Sequence, residues 1–484
     1  MDFTVTEFDP STTNDLYELF APAWRANRDF AEMHEHVLRG GEYLDRFGQG
    51  TSTPEPAGQY QWRKDAAFAM DYCSDLVDLR VGNLFRTPPA RTWDDSPYAE
   101  FIAAFVNDVD GAGTTMDAFM RRALREYYVN GVDIVVDKTA AGPAAAPVTL
   151  ADERSLAIRP TLTALTPLER LDWACDAAGR YCWVRYDLGA EPAVDETAAP
   201  GPRQYLTLTA DQWRLYRSSG GASPQSAVAA GPMGLGVVPV VSFYYGESIR
   251  PDWRKVPLSL LTRIVPLARA MLNLVSQGQL DLYMAIGVLA ALGVEAEQLP
   301  TELSPMCWLA LPEGAAVQHI RPAVEHVAEK RQWLSLMTEA MLRMGKVYVP
   351  LGENQRRAGS GVQVQAERTD LDNEMAATAG AAEQVERDVI RLAVSRHEGR
   401  LIPHEQIGYS VEYNRQYVLA GVREILDQAR GFMDLSVTAA VPDLARVFLR
   451  RVLDQLLKKD DPRYKAIAEQ IRQGDLVASP PSAE

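Results

Sequence analysis

The sequence predicts an α+β fold that contains more helix than strand. Residues 16–129, and most of the chain after residue 257, repeat apolar side chains every three or four positions, which is the spacing of one helix face. Between them, residues 130–246 hold short β-branched and aromatic runs separated by turn residues, the pattern of a mainly antiparallel sheet. The chain has 484 residues, enough for about two to four domains.

Composition and charge exclude several classes of protein. Hydrophobic residues make up 47% and charged residues 24% of the chain, which is ordinary for a folded protein and rules out global disorder. The 49 basic and 65 acidic residues leave a net charge of −16. A protein that coats nucleic acid with its whole surface carries the opposite sign, so we expect any contact with DNA to be local.

No export or membrane segment is expected. Residues 1–9 carry three acidic side chains and lack the basic and apolar regions of a signal peptide. The longest apolar run, 282–294, is shorter than the roughly 20 residues that span a bilayer. The four cysteines form no CxxC pair, so we interpret them as reduced, small apolar side chains; Cys175 and Cys182 flank a predicted hairpin turn at 176–180.

The first 129 residues are predicted to be helices separated by breakers. Gly40-Gly41, the glycine- and proline-containing stretch 48–58 and Pro88-Pro89 should end helices. One helix face is expected to carry Phe68, Tyr72, Leu76 and Leu79.

The β region should begin behind the Asn130-Gly131 turn signal and continue to about residue 257. Strands are expected near 132–137, 156–162, 171–174, 181–187, 204–209, 212–216 and 237–245. Three inserts rich in alanine, proline and glycine, at 140–147, 189–202 and 218–236, are interpreted as surface loops.

After residue 257 the pattern is helix, compact apolar segment, helix, loop, helix. Helices are expected at 258–282, with a kink at Pro266, at 322–344 and at 364–397; short strands and turns suit the segment between the first two. The remaining residues predict a short extended piece at 408–413, helices near 418–431, 441–458 and 461–473, and a disordered tail.

The third of these helices carries a heptad-like seam. Its members are spaced alternately four and three residues apart and are Leu371, Met375, Thr378, Ala382, Val385, Val389 and Leu392. This seam fits packing between subunits and packing within one chain equally well.

The sequence assigns no catalytic, metal or cofactor site. The nucleotide, zinc and hydrolase signatures are absent. A calcium-like loop from Asp108 lacks two of its ligand positions, and His34 and His36, two residues apart, are expected on different faces of a solvated helix. His319, His326, His397 and His404 have no companion at a ligand spacing.

Two local charge clusters carry functional information. Residues 281–322 hold five acidic side chains against one arginine, whereas residues 343–357 hold four basic side chains against one glutamate. A basic, glycine-flanked loop between helices suits contact with phosphates that does not read bases, although a solvated loop of ordinary charges fits these residues as well.

Several short motifs occur in an order that resembles one known family. They are Tyr43-Leu44, Tyr60-Gln-Trp-Arg63 before an alanine-rich helix, the Val81-Gly-Asn-Leu-Phe-Arg-Thr-Pro-Pro89 turn, residues 109–114, the strand 128–137 and Ser360-Gly361 opening a long helix. This order resembles the portal proteins of tailed double-stranded DNA bacteriophages and covers roughly residues 15–400.

The resemblance implies a ring, usually of twelve subunits, at one capsid vertex. The implied parts are a wing (1–129 and 130–257), stem helices (258–282 and 323–345), a clip (283–322), a tunnel loop (346–361), a long wing helix (362–398), and a crown and tail (399–484). Arg356 and Arg357 are the DNA-contact candidates, with Arg343 and Lys346 as weaker ones. The clip acidic candidates are Glu295, Glu297, Glu302 and Glu313.

The same resemblance implies partners and a location. Double-stranded DNA would pass non-specifically, a separate terminase motor would hydrolyse ATP, and capsid, scaffolding and head-completion or adaptor proteins would dock. The chain would assemble in the host cytoplasm and reside in the virion. Two alternatives stay open: a hydrolytic or nucleic-acid-processing enzyme with dispersed site residues, and another ring component without DNA passage.

Overall fold

The computed structural model describes residues 9–40, 42–139, 158–191, 201–218, 227–248, 250–284, 288–292, 316–320, 325–347 and 361–415, with 464, 468 and 469. The chain divides into two compact units, 1–415 and 416–484. In the second unit Tyr464 is buried, and the helices expected at 418–431 and 441–458 lie outside the described residues. The first unit combines helices and sheets, as the α+β prediction requires.

Six helices form the N-terminal part. They are α1 (Asp15–Ala31), α2 (Glu35–Arg39), α3 (Ala57–Ala66), α4 (Tyr72–Leu84), α5 (Ala99–Asn107) and α6 (Met116–Val129). Asn14 caps α1 by accepting a hydrogen bond from the Tyr17 amide at 2.7 Å, and Thr115 caps α6 in the same way. The prediction that one helix face carries Phe68, Tyr72, Leu76 and Leu79 is wrong for the first and the last of them. Phe68 precedes α4, and both Phe68 and Leu79 are exposed.

Two antiparallel sheets account for most of the β region. The three-stranded sheet has the order β3 (Arg159–Leu165), β2 (Val132–Thr139), β9 (Val240–Phe243). The five-stranded sheet runs β4 (Arg170–Cys175), β5 (Tyr181–Ala190), β6 (Arg203–Thr209), β7 (Gln212–Ser218), β8 (Ala229–Pro232). The interpretation of 218–236 as a loop is therefore corrected, because β8 completes the sheet from within it.

The other described strands form three separate two-stranded sheets. Residues far apart in sequence meet in β1 (Ala90–Thr92) and β14 (Ser410–Glu412), so the predicted extended piece at 408–413 is confirmed. The other pairs are β10 (Gly246–Glu247) with β11 (Pro257–Leu258), and β12 (Val288–Leu292) with β13 (Ala316–Ile320).

The helix expected from residue 258 begins later, as α7 (Val265–Met284). Residues 257 and 258 belong to β11, and a 3-10 turn at Leu261–Arg263 precedes the helix. Pro266 therefore lies in the first helical turn, where backbone amides have no partner within the helix. The missing amide hydrogen of proline breaks no hydrogen bond there, so Pro266 does not produce the expected kink. Helix α8 (Glu325–Met344) follows the β12–β13 hairpin and packs on α7.

The heptad-like seam packs within the chain. It lies on α9 (Gly361–Glu398), and six of its seven members, all except Leu371, are buried. Helix α9 packs on β2, β3 and β9 of the three-stranded sheet and on β14. The seam is therefore a sheet-covering helix face, because a helix on a sheet needs the same three- and four-residue apolar spacing as a helix on a helix.

Gly131 joins α6 to β2 where both backbone conformation and space require glycine. Its φ is +80°, and a Cβ built there would lie 2.6 Å from Cδ1 of Tyr244. Gly179 has the same φ of +80° but no atom within 4 Å of a built Cβ.

We predict that Gly131→Ala destabilises the protein more than Gly179→Ala does. Both alanines meet the left-handed backbone cost of about 1 kcal/mol, whereas only the first collides with Tyr244. Urea unfolding of both variants measures the difference. Equal free energies of unfolding would show that Tyr244 moves aside without cost.

Candidate functional site

The described DNA-contact candidates lie at the end of α8. Arg343 is in the last turn of the helix, with its side chain 76% exposed and its Nη2 atom 2.8 Å from Oε1 of Glu339. An exposed pair of this kind is weak and easily exchanged. The guanidinium of Arg343 therefore remains available to an external anion.

Lys346 is differently placed. Its Nζ atom lies 3.0 Å from Oε2 of Glu374, a carboxylate whose side chain is only 7% exposed. That oxygen has no partner with hydrogen-bond geometry, so the contact is an ion pair and not a directed hydrogen bond. The ammonium group is already paired within the chain, which weakens the expectation that Lys346 meets DNA.

Arg356 and Arg357 lie outside the described residues, but both flanks of their loop are defined. The chain leaves α8 at Lys346, beside Glu374, and re-enters helix at Gly361. Glu374 stands 13 residues along α9, which corresponds to about 20 Å at 1.5 Å per residue. The chain therefore leaves α8 and re-enters helix at points about 20 Å apart.

The acidic segment lies between two packed helices. An ion pair between Lys330 and Asp281 joins α8 to the end of α7. Strands β12 and β13, which lie between these helices in the sequence, pair antiparallel with each other. The four glutamates predicted for the clip, Glu295, Glu297, Glu302 and Glu313, lie outside the described residues.

A buried ionic network that the sequence did not reveal joins the two sheets. Asp133 on β2 and Arg170 on β4 are almost fully buried, with Nη1 of Arg170 3.3 Å from Oδ2 of Asp133. Oδ2 also accepts hydrogen bonds from the hydroxyls of Tyr181 (2.9 Å) and Tyr186 (3.0 Å), and Oδ1 accepts one from Tyr244 (2.6 Å). The carboxylate thus has a partner on each oxygen.

This network also holds the segment that leads to α7. Nη2 of Arg170 donates to the carbonyl of Lys255 at 2.6 Å, and the indole of Trp173 donates to the carbonyl of Arg254 at 3.0 Å. Lys255 has a φ of +62°, so these contacts retain an uncommon backbone conformation.

A second network ties α9 to the β1–β14 sheet. Glu386 is fully buried and accepts hydrogen bonds from Arg91 (Nε to Oε1, 2.6 Å) and from the hydroxyls of Tyr409 and Tyr413. Burial, followed by the charge of Glu386, raises the pKa of both tyrosines, which keeps their hydroxyls protonated as donors.

Neither network resembles a reaction centre. Every oxygen of Asp133 and Glu386 already accepts a hydrogen bond from an internal donor. Among the described residues no cluster of three His, Cys, Asp or Glu side chains could hold a metal. The calcium-like loop is a backbone turn, in which Asp108 accepts from the Gly111 and Gly113 amides and Asp110 from Ala112.

The histidine interpretation needs one correction. His34 precedes α2, and its two ring nitrogens lie 3.0 Å from Asp29 and 2.9 Å from Glu32, so it pairs with the end of α1. His36 lies on α2 and is exposed, as expected. His397 stacks on Phe101 at 4.5 Å, and His404 contacts Asp388. The side chains of His319 and His326 lie outside the described residues.

Within the described part of the chain, no helix combines the length and apolarity that crossing a membrane requires. Cys73, Cys175 and Cys182 are free thiols. Burial raises the pKa of Cys73 to about 12 and that of Cys175 to about 11, so both are unreactive near neutral pH.

We predict that Asp133→Asn lowers the free energy of unfolding by about 3–5 kcal/mol, because it leaves the buried Arg170 cation without its counter-ion. Chemical unfolding monitored by tryptophan fluorescence measures the loss. The matched control is Asp176→Asn, which alters an exposed pair with Arg180 and should change stability little. A small loss for Asp133→Asn would mean that the tyrosines alone satisfy Arg170.

We also predict alkaline sensitivity. Burial raises the pKa of Tyr181, Tyr186 and Tyr244, so the folded protein keeps protons that the unfolded chain releases above a pH of about 10. Stability should therefore fall as pH rises above that value. The fall should be shallower in Tyr186→Phe, whose lost hydroxyl binds only Asp133. Equal slopes would assign the effect to other groups.

Comparison with known proteins identifies no family. No family model matches the chain, and no curated protein matches it. Among solved structures, the chain is similar to a protein of the neck of an empty GTA particle, with 10% identity, a TM-score of 0.40, and coverage of 87% of this chain and 97% of that one. It is also similar to a protein of the virion of a native gene transfer agent particle, with 9% identity, a TM-score of 0.37, and coverage of 78% and 88%.

Proposed function

We propose that the protein is a portal subunit, one member of a ring at a capsid vertex through which double-stranded DNA is packaged and ejected. The observation that carries the proposal is the order of parts in the structure. A β-rich region precedes two packed helices, α7 and α8, joined through the β12–β13 hairpin, and a basic loop then leads into the 38-residue α9. The motif resemblance implies the same order, from wing through stem and clip to tunnel loop and long wing helix.

The charge distribution supports passage of DNA without adhesion. The chain carries a net charge of −16, so most of its surface repels phosphates. Arg343, Arg356 and Arg357 lie at or near one loop, where a few cations give weak contacts that can be remade at every base pair. Specific binding of a DNA sequence would need base contacts, which the proposed function does not require.

An exposed apolar stripe on α8 supports association with other subunits. Trp333 is 59% exposed and Leu336 is 52% exposed, with Ala340 and Met344 following at four-residue steps on the same side. Another face of α8 packs on α7, and Met341, beside the stripe, is buried. A helix that is apolar on two sides is normally covered on both, and in a ring the second cover is a neighbouring subunit.

The proposed partners follow from this role. The acidic clip candidates Glu295, Glu297, Glu302 and Glu313 would face the terminase motor and later the head-completion or adaptor proteins. Capsid and scaffolding proteins would contact the wing, and the protein would reside in the virion. ATP hydrolysis would belong to the motor, since the chain has no nucleotide motif.

We predict that Arg356→Glu with Arg357→Glu reduces DNA packaging while rings still assemble, because the substitution makes the loop repel phosphates. Light scattering measures ring mass, expected near a dozen copies of the 53.5 kDa chain, and nuclease-protected DNA per particle measures packaging. The control is Arg331→Glu, which makes one such arginine-to-glutamate change, half the charge difference of the double variant, on an exposed residue of α8.

Two results would contradict the proposal in different ways. Unchanged packaging in the double variant would remove Arg356 and Arg357 from the DNA contacts while leaving the ring intact. A wild-type protein that stays monomeric, alone and with its capsid components, would instead overturn the portal function and favour an enzyme with dispersed site residues.

A further inference from the structure

One buried ionic cluster holds the end of α8. Arg80 on α4 is fully buried, and its guanidinium donates from Nε to Oε1 of Glu374 at 3.0 Å and from Nη2 to the carbonyl of Gly345 at 2.5 Å. Glu374, on α9, also pairs with Lys346. We name these four residues, Arg80, Gly345, Lys346 and Glu374, the Glu374 clamp. The clamp joins α4 to the consecutive helices α8 and α9, which are distant from it in sequence.

The backbone at the clamp is tightly specified. The amide of Lys346 bonds to the carbonyl of Arg343 (3.0 Å), and that of Val347 bonds to Leu342 (2.8 Å), the two bonds of a Schellman motif. Lys346 occupies the left-handed position of this motif, with φ +51°, where glycine is the usual residue. The ion pair to Glu374 supplies a reason for lysine at that position.

The end of α8 also lies very close to α4. A Cβ built on Gly345 would lie 2.7 Å from Cδ2 of Leu76, and the carbonyl of Leu76 accepts a hydrogen bond from Nη1 of Arg80 at 2.9 Å. Arg80 therefore has a bond to each of the three helices, since it also reaches Glu374 and Gly345. These contacts within the chain fix the position of the Arg80 side chain.

We propose that the Glu374 clamp is a positioning device that couples α9 to the last turn of α8. Glu374 is the shared anion, accepting a hydrogen bond from Arg80 on Oε1 and forming an ion pair with Lys346 through Oε2. Its carboxylate therefore keeps both cations in place and retains the left-handed conformation of Lys346. When α9 moves at Glu374, Lys346 moves with it. The direction in which the chain leaves α8 then changes. The inference rests on contacts within one chain and is independent of the proposed function.

Hydrogen exchange of the full-length protein tests the clamp. Glu374→Gln removes the charge that binds Lys346 and Arg80, and we expect amides of residues 345–347 to exchange about tenfold faster relative to those of α6, the factor for loss of a charge-assisted hydrogen bond. The matched control is Glu386→Gln, which alters another buried carboxylate on the same helix and should not selectively accelerate residues 345–347.

A second variant separates the clamp from the helix cap and remains informative if Glu374→Gln fails to fold. Lys346→Asn keeps a residue that accepts the left-handed conformation but removes the cation. If the Glu374 clamp holds Lys346 in place, the amides of residues 346 and 347 should exchange faster in this variant. If the Schellman motif alone holds it, their exchange should be unchanged or slower. Unchanged or slower exchange in Lys346→Asn, or equal acceleration at residues 345–347 in Glu386→Gln, would overturn the proposal.

Discussion

The structure depends on the burial of carboxylates along one helix. Helix α9 covers the three-stranded sheet with apolar side chains, yet the helix also carries Glu374, Glu383 and Glu386, whose carboxylates are nearly or fully buried. A buried carboxylate is strongly destabilising unless cations and hydrogen-bond donors reach it. Elements from distant parts of the sequence must therefore converge on α9 before the fold is stable.

The partners of these carboxylates show how the convergence works. Arg80 comes from α4, Arg91 from β1 and Arg415 from the chain after β14, so each carboxylate binds a different element. Each pair also selects one register of α9 on its neighbours, because a shift along the helix would leave a charge buried without its partner. The apolar seam provides the driving force for packing, and the ionic pairs make the position unique.

The Asp133 network has the same role for the two main sheets. It links β2 to the five-stranded sheet and to the segment before α7. The three-stranded sheet, on which α9 packs, is therefore held to the segment that precedes α7. The two packed helices, the hairpin between them and the basic loop after them are thereby attached at defined points.

Sequence patterns determined the class and order of elements. The three- and four-residue periodicity placed α8 and α9 close to their observed bounds, and period-two runs located the strands of both sheets, because local spacing alone decides which side chains share a face. Strand β8 was not predicted, because Ala229, Ala230, Gly231 and Pro232 are residues of low strand propensity. They form a strand through pairing with β7.

Tertiary structure decided where the charges go. Asp133 inside a β-branched run and Glu386 inside an apolar helix seam were the visible signals of buried charge, but their partners lie 37 and 295 residues away. The same limit applies to Lys346, which is an ordinary basic residue by sequence and a member of the Glu374 clamp in the fold. Pairing between distant residues depends on the packed arrangement of elements, whereas helix and strand patterns depend on neighbours along the chain.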